Sequence, residues 1–199
     1  LNVSDKDQNI GEKLSNYTTI CLISNSLHGY KNLLKLSSSA YQKQNSLLPF
    51  VSLQEVFELN QGLFFLTGGV KGIVNQSLRR NNKDLAVSQL KLINKYFQGR
   101  LFFELQRYDD NETNIENNLI DIAYDMNLPI VATNDIFFSS KEDHEANDIL
   151  QCIPSSDVLS NPNRKKISPE CFFKNQKDMK ELFSDIPEAI ENSILIAKR

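Results

Sequence analysis

The sequence has few of the residues that build disulfides, metal clusters or membrane spans. Its three cysteines, Cys21, Cys152 and Cys171, are widely spaced and odd in number, so we expect no disulfide framework or structural zinc site, and a reducing cytoplasm fits. Its longest apolar runs, such as 63–66, are too short to cross a membrane. The net charge of −3 lacks the basic excess that is typical of a stand-alone DNA-binding module.

What remains is the composition of an ordinary folded domain. The chain has 199 residues, of which 40% are apolar and 24% charged, so it can bury a core and is not disordered as a whole. It begins with Leu1 instead of Met and stops at Arg199 within a helical pattern. We therefore expect it to be an internal piece of a longer protein.

Short apolar runs alternate with helical stripes along the chain. The runs predict four strands, at 18–23, 63–66, 101–105 and 129–133. Each is followed by a helical pattern, as where Ala86, Leu90, Ile93 and Phe97 share one face. Ser52 and Glu55 form a capping-box pattern that opens a short helix through Leu59. This alternation predicts parallel β/α units, stacked into a sheet or part of a barrel.

The pattern changes after Pro154. Residues 155–166 are polar and predict a long loop, and two further helical stretches follow it. We therefore divide the chain into a domain at 1–154 and a helical connector at 155–199.

The ends of the strands are where β/α proteins carry chemistry, and they select four segments. The segments are 24–28, 67–72, 106–110 and 134–138. The glycine-rich segment 67–72 could cradle a phosphate with backbone N–H groups, but it matches neither common nucleotide-binding pattern, and a tight turn is the favoured interpretation. Asp135 could bind a metal, cap the next helix or orient a neighbour, and capping is favoured. His28 and His144 are predicted to be surface residues.

Five strings carry a more specific signal. They are Gly29-Tyr30-Lys31-Asn32-Leu33, Gly62-Leu63-Phe64-Phe65-Leu66-Thr67-Gly68-Gly69, Arg100-Leu101-Phe102-Phe103-Glu104-Leu105, Leu128-Pro129-Ile130-Val131-Ala132-Thr133-Asn134-Asp135 and Glu181-Leu182-Phe183-Ser184-Asp185-Ile186-Pro187-Glu188-Ala189. In order and spacing they resemble the PHP (polymerase and histidinol phosphatase) domain of bacterial DNA polymerase III alpha subunits. Together they cover the chain from about residue 17 to its end.

The resemblance implies a fold and a site. The fold would be α/β, a partial, distorted β/α barrel of parallel strands with a C-terminal helical connector. Active members hold a metal cluster that hydrolyses phosphodiesters, with a His at Thr19, a Cys at Gly69 and a His at Phe137, after the Asp at Asp135. Asp135 alone is retained, so we expect these four positions to be vestigial, with no catalytic residue, metal or cofactor. Phe137 is expected to fill the former ligand cavity.

The resemblance also implies a function for the parent protein. It would be the replicative DNA polymerase, with Mg²⁺ bound in a palm that lies outside this fragment. The fragment would be structural, contacting the rest of the alpha subunit and the proofreading exonuclease (epsilon) subunit. Primer-template DNA would bind through the whole protein, in the cytoplasm and away from membranes. The alternatives are an active metal-dependent phosphoesterase or 3′–5′ exonuclease and, disfavoured by the fifth string, a free-standing adaptor.

Overall fold

The computed structural model describes residues 2–4, 17–43, 48–108, 113–164 and 166–199. Within them the chain forms seven strands, β1 (Asn2–Ser4), β2 (Thr18–Thr19), β3 (Cys21–Ser24), β4 (Val51–Ser52), β5 (Leu63–Leu66), β6 (Leu101–Gln106) and β7 (Ile130–Thr133). The α-helices of these residues are α1 (Leu27–Gln42), α2 (Leu53–Glu58), α3 (Ile73–Arg79), α4 (Lys83–Tyr96), α5 (Thr113–Asp125), α6 (His144–Ser155), α7 (Gln176–Leu182) and α8 (Pro187–Lys198). Short 3-10 turns precede α3 and α6.

The main sheet has four strands in the order β3-β5-β6-β7. Strands β5, β6 and β7 are parallel, as the alternation predicts. Strand β3 pairs antiparallel with β5, so the prediction of four parallel strands is wrong for the first one. The connection from β3 to β5 contains α1, β4 and α2 instead of one crossover helix, and the rule for single crossovers does not apply to it.

A small second sheet, in the order β2-β1-β4, lies beside the main one. Strand β1 pairs antiparallel with β2 and parallel with β4. The single strand predicted at 18–23 is therefore two strands in different sheets, divided at the buried Ile20. The fold is mixed α/β with strands alternating with helices, as predicted, and the strands of the described residues do not close into a barrel.

The core forms where the predicted apolar faces meet. All four residues of β5 are buried, and so are the first five of β6. The predicted stripe of α4 is confirmed, because Ala86, Leu90, Ile93 and Phe97 are all fully buried. The predicted capping box is also present, with Ser52 and Glu55 bonded reciprocally at the start of α2.

The last two helices pack into this same core. Phe183, Ile186 and Ala189 are buried within its main cluster, and α8 lies along β7. The Asn192 side-chain amide donates to the Ile130 carbonyl at 2.7 Å. The C-terminal segment is thus bound to the sheet through α8. No helix in the described part of the chain is long and apolar enough to cross a membrane.

Candidate functional site

A groove lies at the C-terminal ends of the three parallel strands, which we call the groove end of the sheet. It has a volume of about 250 Å³ and is lined by Thr19, Ile20, Cys21, Gly68, Lys71, Glu104, Gln106 and Asp135. Two predicted segments, 67–72 and 134–138, meet there, together with Gln106 from the third. Residues 109 and 110 of that third segment lie outside the described residues.

The fourth predicted segment, 24–28, lies at the other end of the sheet. Because β3 is antiparallel to β5, Ser24 pairs with Leu63 at the start of β5, and Cys21 pairs with Leu66 at its end. The groove is lined instead by Thr19 and Ile20, which precede β3, and by Cys21, its first residue. The prediction that Ser24–His28 belongs to the site is therefore wrong, since it assumed a parallel strand.

Glu104 is the central residue of the groove, and we did not predict it as a site residue. Its side chain is 6% exposed. One carboxylate oxygen accepts from the Gly68 N–H at 3.0 Å, and the other accepts from the Thr133 hydroxyl at 2.6 Å and the Gln106 amide at 3.2 Å. Burial raises the pKa of this carboxyl, and the charge of Asp135 raises it further. A lone acid inside a buried apolar strand was the available signal.

The turn after β5 is held by protein groups. Gly68 and Gly69 have φ values of +90° and +53°, a region that favours glycine. The Gly68 N–H donates to Glu104, the Val70 N–H to Gln106 at 3.3 Å, and the Gly72 N–H to the Gly69 carbonyl. These N–H groups already have acceptors, which agrees with the favoured tight-turn interpretation over the phosphate cradle.

Gln106 occupies the space beside Gly69. A Cβ built on Gly69 would lie 2.2 Å from the Gln106 Oε1 atom, so a larger residue requires that amide to move. The amide is held in place because its nitrogen donates to the Thr133 hydroxyl at 3.1 Å as well as to Glu104. The position where active family members are expected to carry a Cys is thus next to a filled space.

Asp135 and Phe137 lie at the outer side of the groove. Asp135 forms an ion pair with Lys71, whose Nζ lies 3.3 Å from its Oδ2. The capping role predicted for Asp135 is wrong, because Ser140 and Asp143 cap the following turn. Phe137 is 42% exposed, with Lys71 Nζ 5.7 Å from its ring centre. The expectation that Phe137 fills a ligand cavity is therefore also wrong.

The remaining candidate residues do not add metal ligands to the groove. Burial raises the pKa of the Cys21 thiol, and Glu104 raises it further. His28 is exposed, and His144 contacts the Ile167 carbonyl at 3.0 Å. Thr19 ends β2, and its carbonyl packs against Gly68.

A metal cluster of the kind that the resemblance implies does not fit these residues. Both oxygens of Glu104 accept hydrogen bonds from the protein, and Asp135 already pairs with an ammonium group. Among the residues that the structure describes, no group of three or more His, Cys, Asp and Glu side chains is arranged to hold a metal. Metal chemistry needs several converging ligands of suitable charge.

Two arginines, one at each end of the sheet, bind groups from other elements of the chain. At the groove end, Arg107 forms a two-pronged ion pair with Asp185, at 2.6 and 2.7 Å, and also binds Glu116. The hydrogen bonds that Arg107 donates to Asp185 raise its pKa, and Glu116 raises it further, whereas burial opposes this shift. At the opposite end, Arg100 donates to the carbonyls of Asn60 and Leu63 at 2.5 and 2.9 Å.

Glycine and asparagine of the first motif also act at the opposite end. Asn32 is buried and donates to the Gln61 carbonyl at 3.0 Å. Gly29 lies against Gly62, where a Cβ on Gly29 would come within 1.8 Å of the Gly62 carbonyl oxygen. These motif residues join α1 to the start of β5, so their contacts are structural.

Comparison with known proteins gives two results. A family model described as the PHP domain matches residues 3–108, which is more than half of the chain. The chain is 36% identical to the DNA polymerase III subunit alpha of Rickettsia bellii over 193 residues, or 96% of its length. Its identity to the same subunit of Escherichia coli K12 is also 36% over 193 residues. The alpha subunit of Buchnera aphidicola is 38% identical over 186 residues.

The chain spans about 16% of the length of these curated relatives. The match to them continues beyond residue 108, where the PHP family model ends, and so includes part of the segment that carries α6, α7 and α8. The chain belongs to the PHP domain family, and nearly all of it is similar to one segment of bacterial DNA polymerase III alpha subunits.

Proposed function

We propose that this chain is part of the alpha subunit of a bacterial DNA polymerase III, a DNA-directed DNA polymerase that copies the chromosome in the cytoplasm. The observation that carries the proposal is the similarity over 96% of the chain to proteins named DNA polymerase III subunit alpha. Polymerisation would use Mg²⁺ held by a palm outside these 199 residues. Primer-template DNA would bind to the whole protein.

The test uses the full-length protein encoded by the same gene. Purified protein is mixed with primer-template DNA, deoxynucleotides and Mg²⁺, and primer extension is followed with time. We expect extension that stops when the Mg²⁺ is chelated. A protein that is folded but extends no primer would contradict the proposal.

Within that subunit, we assign this PHP domain a structural role with a degenerate metal site. Lys71 supports this assignment because its ammonium group pairs with the one retained family ligand, Asp135. Gln106 supports it because its amide occupies the space beside Gly69. Full-length protein, with the palm inactivated, is expected to release no nucleotides from a 3′ DNA end when Zn²⁺ or Mn²⁺ is supplied. Nuclease activity lost in Asp135→Asn would restore the phosphoesterase alternative.

A domain with this role would offer its surface to a separate proofreading exonuclease subunit and would brace the rest of the alpha subunit. The proposal rests on the resemblance and on the poor fit of the groove to a catalytic metal. Full-length protein and the purified exonuclease subunit from the same organism are combined and separated by size. Co-elution is expected for the wild type. Separate elution at micromolar concentrations of both proteins would contradict the proposed partner.

A further inference from the structure

Helix α6 lies on the protein with its polar side inward. The half-buried residues of the helix are His144, Asn147, Asp148 and Cys152, which share one face. Three of them anchor it, since His144 contacts the Ile167 carbonyl, Asn147 donates to the Phe137 carbonyl at 3.5 Å, and Asp148 pairs with Arg164. None of its residues is fully buried.

The other side of α6 is apolar and faces outward. Ile149, Leu150 and Ile153 lie within about a third of a turn of one another, and Ile153 is 72% exposed. The chain then turns sharply, with the Asp157 N–H bonded to the Cys152 carbonyl at 3.0 Å, and adds Val158 and Leu159, which are also exposed. We call Ile149, Leu150, Ile153, Val158 and Leu159 the α6 patch.

This arrangement is the reverse of that expected for a surface helix. An amphipathic helix is normally stabilised by packing its apolar face, and a short helix is marginal in water without such packing. A continuous exposed patch of large apolar side chains marks an interaction surface. None of the described residues of the chain covers the patch.

Two observations bear on which polypeptide would cover the α6 patch, namely the chemistry of the patch and the length of the relatives. The patch is aliphatic and uncharged, as is usual for permanent interfaces and not for transient ones, which are more polar. Relatives that match 96% of this chain contain it as about 16% of their own length, so a much longer polypeptide is attached to the same segment in those proteins.

We propose that the α6 patch is an intramolecular interface, covered by a segment of the same polypeptide outside residues 1–199. This inference rests on the proposed function, because it requires the chain to be part of an alpha subunit. The covering segment is expected to present aliphatic or aromatic side chains. A second copy of the chain and the exonuclease subunit are the competing occupants.

The test is photo-cross-linking in the purified full-length protein. A benzophenone amino acid replaces Ile153, and in a matched control it replaces Leu92, an outward residue of α4 that is 47% exposed. We expect the Ile153 probe to form cross-links within one polypeptide, to peptides outside residues 1–199, and the Leu92 probe to form none. Cross-links to a second copy, or cross-links that require added exonuclease subunit, would each overturn the inference, and so would an absence of cross-links together with an absence of the thermal shift described below.

A second measurement does not depend on the reactivity of the photo-probe. Ile153→Lys is expected to lower the melting temperature of the full-length protein by roughly 2–4 °C relative to Leu92→Lys. Equal melting temperatures would overturn the inference. Primer extension by the wild type, measured on the same preparation, separates the two claims. Loss of extension would contradict the proposed function, whereas extension without cross-links or a thermal shift would contradict the α6 patch alone.

Discussion

The two ends of the main sheet carry family motifs of different kinds. At the opposite end, Gly29, Asn32 and Arg100 satisfy carbonyls or fit closely against the backbone at the start of β5. At the groove end, Glu104 is a buried acid with a raised pKa, and Asp135 pairs with Lys71. The motif residues of the opposite end therefore satisfy or fit against backbone groups, whereas the groove end keeps a buried acid near a second carboxylate, which is electrostatically costly.

Among the residues of the family motifs, the largest expected effect comes from the opposite end. Gly29→Ala places a Cβ 1.8 Å from the Gly62 carbonyl oxygen, and the backbone of α1 or β5 must shift. We expect a loss of about 3 kcal/mol in the free energy of unfolding, measured by chemical denaturation. Gly99→Ala is the control, because its Cβ meets nothing within 4 Å and costs about 1 kcal/mol for its left-handed φ. Equal losses would contradict the close contact.

Glu55, outside the groove, contrasts with Glu104 in the sign of its pKa shift. Burial opposes ionisation of Glu55, but hydrogen bonds from Lys43, Ser39 and Ser52 lower its pKa to about 2. Its contribution is present above the ordinary carboxyl pKa and is lost as the pH falls toward 2. Glu55→Gln is expected to cost about 1–2 kcal/mol at pH 7, after allowance for solvent screening, and much less near pH 2. A loss that does not change with pH would contradict this assignment.

Glu104 should behave in the opposite way. Because its folded pKa is raised, its contribution is present below the ordinary carboxyl pKa and is lost as the pH rises through the raised value. Glu104→Gln is expected to stay within about 1 kcal/mol of the wild type, and to gain stability relative to it from pH 4 to pH 8. Melting curves across this range measure the change. The exposed Glu58→Gln is the control, and a parallel profile for both variants would refute the buried acid.

The smallest effect is expected at Phe137. Because Phe137 is 42% exposed, Phe137→Ala should lower the free energy of unfolding by less than about 1 kcal/mol. Its neighbour Phe138 is buried, and Phe138→Ala should cost roughly 3–5 kcal/mol. Denaturation of the two variants side by side gives the comparison. A larger loss at Phe137 than at Phe138 would support the cavity-filling role that the structure contradicts.

Local patterns predicted the helices because their causes are local. The α4 stripe and the Ser52–Glu55 capping box depend on residues within one or two turns, and both are present. The direction of β3 depends on the path of the chain between β3 and β5, which periodicity does not encode. Because β3 runs antiparallel to β5, Ser24–His28 follows β3 at the end of the sheet opposite the groove, whereas a parallel strand would have placed it at the groove end.

The candidate site was predicted in part. The resemblance led to Thr19, Gly69, Asp135 and Phe137, and the structure brings the first three to one groove or its wall. Their vestigial character remains a prediction. Glu104 was missed because its strand was predicted from the apolar residues around it, and the pattern does not show that its side chain faces the groove. The outward apolar face of α6 was missed because periodicity is the same whichever face turns inward.

We expect protein groups, and not metal ions, to complete the groove end. The most direct measurement is elemental analysis of full-length protein after saturation with Zn²⁺ and Mn²⁺ and removal of free ions, with Asp135→Asn in parallel. We predict the same metal content in both proteins, with less than one ion per chain attributable to the groove. Two or more ions per chain in the wild type that are lost in Asp135→Asn would contradict it.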